Sequence, residues 1–150
     1  MRASELATTL LGLAAAIGVA TAGAHAQSPR SGPRADVEVI APASLAAPGP
    51  AEVVVLVRVR PASRRPVLVT PSSEGDAIEI VRGRLLRADA ESPEAETLRF
   101  RVPIVARTAG TAIFRVQVVG YTCTGRGHRE RCRAVHGAAS AVLRVSARAR

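Results

Sequence analysis

The residues able to do chemistry are gathered in one stretch. Residues 120–136 read Gly-Tyr-Thr-Cys-Thr-Gly-Arg-Gly-His-Arg-Glu-Arg-Cys-Arg-Ala-Val-His. They contain both cysteines of the 150-residue chain, Cys123 and Cys132, together with His128 and His136. Arg126, Arg129, Arg131 and Arg133 crowd the cysteines, and only Glu130 opposes them. Three chemistries are open to this set. The first is a structural disulfide, because two cysteines in an exported chain usually pair. A Cys123–Cys132 bond would close a loop of about ten residues, worth roughly 2.5–3 kcal/mol in the chain-entropy model. The second is a redox-active dithiol. Nearby positive charge favours a thiolate, and the flanking glycines would leave the sulfurs accessible for exchange. The C-x-x-C spacing of the common redox motif is absent. The third is a metal site, since Cys123, His128, Cys132 and His136 are four ligands of the kind that bind zinc tetrahedrally. Their C-x4-H-x3-C-x3-H spacing follows no established zinc pattern, and the arginines beside them repel a dication. No G-x-S-x-G nucleophile motif is present, and no cofactor is expected.

Charge is distributed as unevenly as the cysteines. The chain carries 21 basic residues, all arginine, against 12 acids, for a net charge of +9 at pH 7. Residues 120–150 hold seven arginines and one glutamate, whereas residues 72–98 hold seven acids and three arginines. Such a field steers an oppositely charged partner. The expected partner is an acidic protein face or an anionic envelope polymer, met by Arg126, Arg129, Arg131 and Arg133. Nucleic acid is not expected, because aromatic residues are only 2% of the chain and cannot stack a run of bases. Arginines on outward strand faces also discourage edge-to-edge association, so part of the charge is solvated surface. The lack of lysine and asparagine points to a GC-rich genome rather than to guanidinium-specific recognition.

A compartment can be read from the first 26 residues. Arg2 precedes an apolar run from Leu6 to about Ala22, and Ala24-His25-Ala26 follows. This is the charged, apolar and small-residue order of a secretory signal, cleaved before Gln27. The run is rich in Ala, Thr and Gly, which makes it a poor anchor, so no transmembrane span is expected after cleavage. A periplasmic or extracellular location follows, where a disulfide persists. Residues 27–35 are polar and proline-rich and read as a flexible leader, leaving residues 36–150 as one folded domain. A cofactor enzyme of ordinary size does not fit in that length.

The elements that must position the cysteines are short strands. Val53, Val55, Val57 and Val59 alternate with Arg58 and Arg60, the period of two that a half-buried strand requires. Leu98, Phe100 and Val102 alternate with Arg99 and Arg101, and Ala112, Phe114, Val116 and Val118 form a third apolar row. Shorter strands are expected at 36–40, 67–70, 77–81 (with a continuation over 84–88) and 139–146. Pro71 should end the strand at 67–70, and Pro103 should mark an edge or a bulge. Thr108-Ala109-Gly110 reads as a hairpin connection, and residues 123–132 as a loop. About seven strands punctuated by Pro and Gly, with no amphipathic helix after the signal, predict an all-β, immunoglobulin-like antiparallel sandwich. Tyr121 stands two residues before Cys123, as in the tyrosine corner of antibody domains. No early cysteine and no tryptophan accompany it, so an antibody-type domain is not expected.

From Gly110 onward the chain resembles the end of the N-terminal periplasmic domain of thiol:disulfide interchange transmembrane reductases. The resemblance rests on Val116-Gln117-Val118-Val119-Gly120-Tyr121-Thr122-Cys123, and on Cys132 followed by the strand Ala141-Val142-Leu143-Arg144-Val145. It implies an immunoglobulin-like sandwich in which Cys123 and Cys132 take electrons from a membrane thiol reductase and pass them to periplasmic oxidoreductases. The family's shorter cysteine spacing and its aromatic-Pro pair after the second cysteine are missing here, where Arg133-Ala134 follows Cys132. The membrane domain is also absent. The residues therefore predict, first, an exported binding or accessory module with a structural disulfide and no catalysis of its own. The alternative is a thiol-disulfide exchange domain.

Overall fold

The computed structural model describes residues 32–148. The expected signal segment, and residues 27–31 of the expected leader, lie outside the described residues.

Alternation along the strands sorts side chains between core and solvent. In β3 (Gly49–Arg60) Val53, Val55, Val57 and Val59 are buried while Arg60 is exposed. In β7 (Thr97–Ala106) the inward row is Leu98, Phe100, Val102, Ile104 and Ala106, and in β8 (Gly110–Thr124) it is Ala112, Phe114, Val116 and Val118. Both phenylalanines are fully buried, so the few large rings of the chain are spent on the core. Each inward row covers one face of its sheet, and the two faces bury each other as in any sandwich.

One sheet has the order β1-β3-β7-β5, with β1 at Arg34–Ile40 and β5 at Ile78–Ile80. The other has the order β2-β9-β8-β4-β6, with β2 at Leu45–Ala47, β4 at Val67–Glu74, β6 at Leu85–Leu86 and β9 at Arg131–Ala147. Without the short β2 and β6, these are the four-plus-three sheets of a constant-type immunoglobulin sandwich in their usual order. All ladders are antiparallel except β2 with β9, which is parallel.

Several local expectations are corrected. Residues 107–109 do not close a hairpin, because β7 and β8 lie in different sheets. Residues 84–88 do not continue β5 either: the chain crosses after Val81, and β6 joins the opposite sheet beside β4. Pro71 does not end its strand. It pairs with Val116 of β8, while β6 reaches only Leu68 and Val69, so no ladder needs a donor on its other side. Pro103 lies in β7 between β3 and β5, but its carbonyl accepts from the Val81 amide, just past the end of β5. The N–H and C=O of a strand residue point the same way, so the missing N–H falls where β5 has stopped.

The largest correction concerns β9, which begins at Arg131 rather than 139. Its ladder with β8 runs through fifteen pairs, from Gly110↔Val145 to Thr124↔Arg131. Small residues in its middle, Gly137, Ala139 and Ala141, let β1 of the other sheet approach. A Cβ at Gly137 would collide with the Ala35 carbonyl oxygen and the Val37 side chain. Gly137→Ala is therefore expected to lower stability by about 1–3 kcal/mol, because the obstacle is backbone. Gly83→Ala, with nothing near its Cβ, should change it by less than about 0.5 kcal/mol. Urea unfolding of the two variants checks the contrast.

Candidate functional site

The cysteines sit on a two-stranded extension of the second sheet. β4 pairs with β8 only as far as Val67↔Gly120. Beyond that rung, Tyr121–Thr124 and Arg131–Ala134 pair only with each other. Cys123 and Cys132 are directly opposed in this ladder, joined by a disulfide with their Cα atoms 4.0 Å apart. The bond thus ties a cross-strand pair within the sheet rather than the two ends of a loop. Cys123 is half-buried and Cys132 exposed.

Period-two alternation gives the extension two unlike faces. Tyr121↔Ala134 and Cys123↔Cys132 share one face, and Thr122↔Arg133 and Thr124↔Arg131 the other. Tyr121 is 42% exposed and its hydroxyl makes no hydrogen bond, so it forms no tyrosine corner. The connection itself, residues 125–130, contains a 3-10 turn at Gly127–Arg129. Gly125 enters it at φ +92°, and a Cβ there would run into the Arg129 carbonyl oxygen. Glycine is required at that position by both conformation and space.

The extension is braced from the side by two arginines. Arg87 donates to the carbonyls of Arg65 (2.9 Å), Pro93 (2.7 Å) and Ser63 (2.5 Å), which holds the β3–β4 turn in place. Burial lowers the pKa of Arg87. From that turn Arg65 forms an ion pair with Glu130. The single acid of the tip is thereby committed to the body of the domain.

Elsewhere, arginines and acids neutralise each other. On the outer face of the first sheet Arg101 bridges Glu91 (2.6 Å) and Glu52 (3.3 Å), Arg99 also reaches Glu91 (3.2 Å), and Arg58 reaches Glu96 (3.4 Å). Hydrogen bonding from Arg101 is the chief reason that the Glu91 carboxyl lies below its ordinary value. Partial burial pushes Asp36 up, but hydrogen bonds from Arg34 and Arg60 outweigh it and hold the carboxyl low. A groove there, lined by Asp36, Glu38, Arg58 and Arg60 among others, is mostly neutralised by these pairs. Arg64, Arg82, Arg107 and Arg115 pair with Glu94, Asp89, Glu79 and Glu74.

Among the described residues, Arg84, Arg126, Arg129, Arg131, Arg133, Arg144 and Arg148 make no side-chain hydrogen bond or ion pair. All but Arg84 and Arg148 belong to β9 or the β8–β9 connection. The four arginines singled out from the sequence are thus brought together, uncompensated, around the disulfide. The four-ligand metal set is not brought together in the same way. The ligand atoms within 4.8 Å of one another are those of Cys123, Glu130 and Cys132. Both sulfurs are already bonded to each other. His128 lies in the 3-10 turn, and His136 pairs with Val119 on the outer face.

Sequence reasoning missed the two threonines. Thr122 is the one polar residue buried among the described residues, at 4% exposure. A cleft of about 390 Å³ opens beside it, lined by Pro33, Pro61, Thr122, Thr124, Arg131 and Arg133 together with Cys132. The available signal was Thr122 itself, which breaks the apolar inward row of β8.

This site stands at one end of an immunoglobulin-like sandwich, on the connection between its last two strands. A similar fold occurs in native alpha-2-macroglobulin from Escherichia coli, in the structure spanning domain MG7 to the C-terminus. The TM-score is 0.52 at 13% identity, covering 77% of this chain and 17% of that one. A cryo-EM reconstruction of the same bacterial macroglobulin in its native conformation matches at a TM-score of 0.44 and 13% identity, covering 74% of this chain and 7% of that one. The chain thus spans less than a fifth of the macroglobulin chains it matches. The likeness establishes the fold. No protein-family profile matches the chain, and no curated protein does. Among the described residues, no helix is long and apolar enough to cross a membrane.

Proposed function

We propose that the protein is an exported, periplasmic or extracellular, binding or accessory module with no catalysis of its own, and that its β8–β9 extension binds an acidic protein face. One observation carries this reading. Most described arginines of the body are matched to acids, Arg84, Arg144 and Arg148 being scattered exceptions, whereas Arg126, Arg129, Arg131 and Arg133 form an unmatched cluster. Uncompensated guanidiniums steer encounter with a negative surface and pair bidentately with its carboxylates. The cluster covers only the end of one hairpin, which suits a local acidic face better than a long polyanion. The same connection carries antigen-binding residues in antibody variable domains, an analogy at the level of the fold. In this reading the disulfide is structural.

The test is binding of a poly-glutamate peptide at low salt. The chain should bind saturably, and changing all four arginines to Gln should weaken binding about tenfold or more, equivalent to 1.4 kcal/mol. Changing Arg82, Arg84, Arg115 and Arg144 removes the same charge elsewhere and should cost much less. Equal losses in the two variants contradict the reading. Binding of an anionic polysaccharide but not of the peptide would move the partner to an envelope polymer.

Exposure of Cys132 amid guanidiniums supports a second reading, the thiol-disulfide exchange implied by the resemblance to the interchange reductases. A membrane thiol reductase would then donate two electrons, opening Cys123–Cys132 to two thiols. Those thiols would reduce a partner's disulfide and re-form their own. The reduction potential of the pair decides between the readings. A value below about −300 mV is expected for a structural bond, and a markedly higher one would favour exchange.

A further inference from the structure

The inner face of the extension is chemically more specific than a basic patch. Thr122 and Thr124 on β8 stand opposite Arg133 and Arg131 on β9, two rungs apart on the face that carries neither the disulfide nor Tyr121. Opposed side chains in such a ladder start about 5 Å apart, and successive ones on a face about 7 Å apart. Two hydroxyl-bearing and two guanidinium-bearing side chains therefore rise from a patch of the ladder about 5 by 7 Å. They line the same cleft, whose other walls include Pro33 and Pro61, and no acidic residue lines it.

Thr122 is the unusual member. Its inward neighbours along β8 are Ala112, Phe114, Val116 and Val118, all apolar. Its hydroxyl makes no hydrogen bond within the protein, yet no buried side-chain polar atom among the described residues lacks a partner, so the hydroxyl opens onto the cleft. Arg131 and Arg133 likewise have no acceptor of their own. Together these groups offer donors in excess and no fixed negative charge. That selects against cations, and it suits an oxyanion, whose oxygens accept from guanidinium forks and hydroxyls alike.

We infer that Thr122, Thr124, Arg131 and Arg133 form a binding site for a single oxyanion group, a carboxylate or a phosphate or sulfate ester. This rests on the extension being the binding surface proposed above, and it names the group of the partner that the surface recognises.

The experiment is an NMR titration of the full chain with inorganic phosphate, sulfate and acetate in turn. Saturable shifts are expected at the Thr122, Thr124, Arg131 and Arg133 amides and at the two arginine Nε–H groups. The midpoint should be about 1–10 mM for at least one ion, as suits a small anion on charge-assisted hydrogen bonds. Acetate as the tightest ion identifies a carboxylate, as on an acidic protein face. Phosphate or sulfate as the tightest identifies an ester.

Thr122→Val should keep the fold while raising the midpoint at least threefold. Arg131→Gln with Arg133→Gln should abolish saturation. Arg84→Gln with Arg144→Gln, an equal loss of charge outside the cleft, should leave it unchanged. Shifts spread over all unpaired arginines, or Thr122→Val binding like the original chain, would overturn the oxyanion site. That result would leave poly-glutamate binding intact. Failure of the peptide assay with saturable small-ion binding retained would overturn only the acidic-partner reading.

Discussion

The ladder between β8 and β9 is the constraint on which the rest of the site depends. Through most of its fifteen pairs it is an ordinary part of the second sheet, flanked by β4 and, at its far end, by β2. Past Gly120 and Val135 it loses those neighbours and continues alone. Two-stranded β-structure is marginal in water by itself, so this segment needs support. The Cys123–Cys132 bond supplies a covalent rung, and the Arg65–Glu130 pair a lateral one. Because Arg87 fixes the turn that carries Arg65, the brace reaches back into the loop before β7. The position of every candidate binding residue follows from this register: one face carries the disulfide, the other the Thr and Arg pairs.

Charge compensation then separates body from tip. Most of the described acids face arginines of the sandwich, as with Glu91 between Arg99 and Arg101. Exposed pairs of this kind add little stability individually. Their larger effect is to leave the body with little free charge to offer a partner. Glu130 is drawn to Arg65, so the tip retains its guanidiniums uncompensated. Among the described residues, unmatched positive charge is densest at the β8–β9 connection and the start of β9.

Much of this was legible in the residues. Val53 to Val59, Leu98 to Ala106 and Ala112 to Val118 alternate so regularly that their strands and buried faces follow directly, and the sandwich class with them. The chain between 131 and 138 was not legible as strand. Its ladder runs partly beyond the opposing sheet, so one face is never buried and alternation disappears. Gly137 and Ala139 are small because β1 packs against them, which only the tertiary arrangement explains. Sheet switching between β5 and β6, and between β7 and β8, leaves no periodic trace at all. The cysteines and arginines announced the site by their types. Thr122 and Thr124 did not, because their partnership with Arg133 and Arg131 is a matter of cross-strand register, eleven and seven residues apart in the chain. Pro71 suggests a strand end and Pro103 an edge or a bulge, yet each lies within its strand, where a ladder has already stopped on the side that would need its donor.

The central claim is that the extension is an ordered, disulfide-supported platform rather than a loose basic loop. Native-state hydrogen exchange of the amides of Tyr121–Thr124 and Arg131–Ala134 tests it most directly, before and after reduction of Cys123–Cys132. In the oxidised protein the ladder amides should be protected well above those of residues 125–130. Reduction should remove that protection while leaving Val116 and Val118 in the core unchanged. Extension amides that exchange as fast as the 125–130 connection with the disulfide intact would contradict the account.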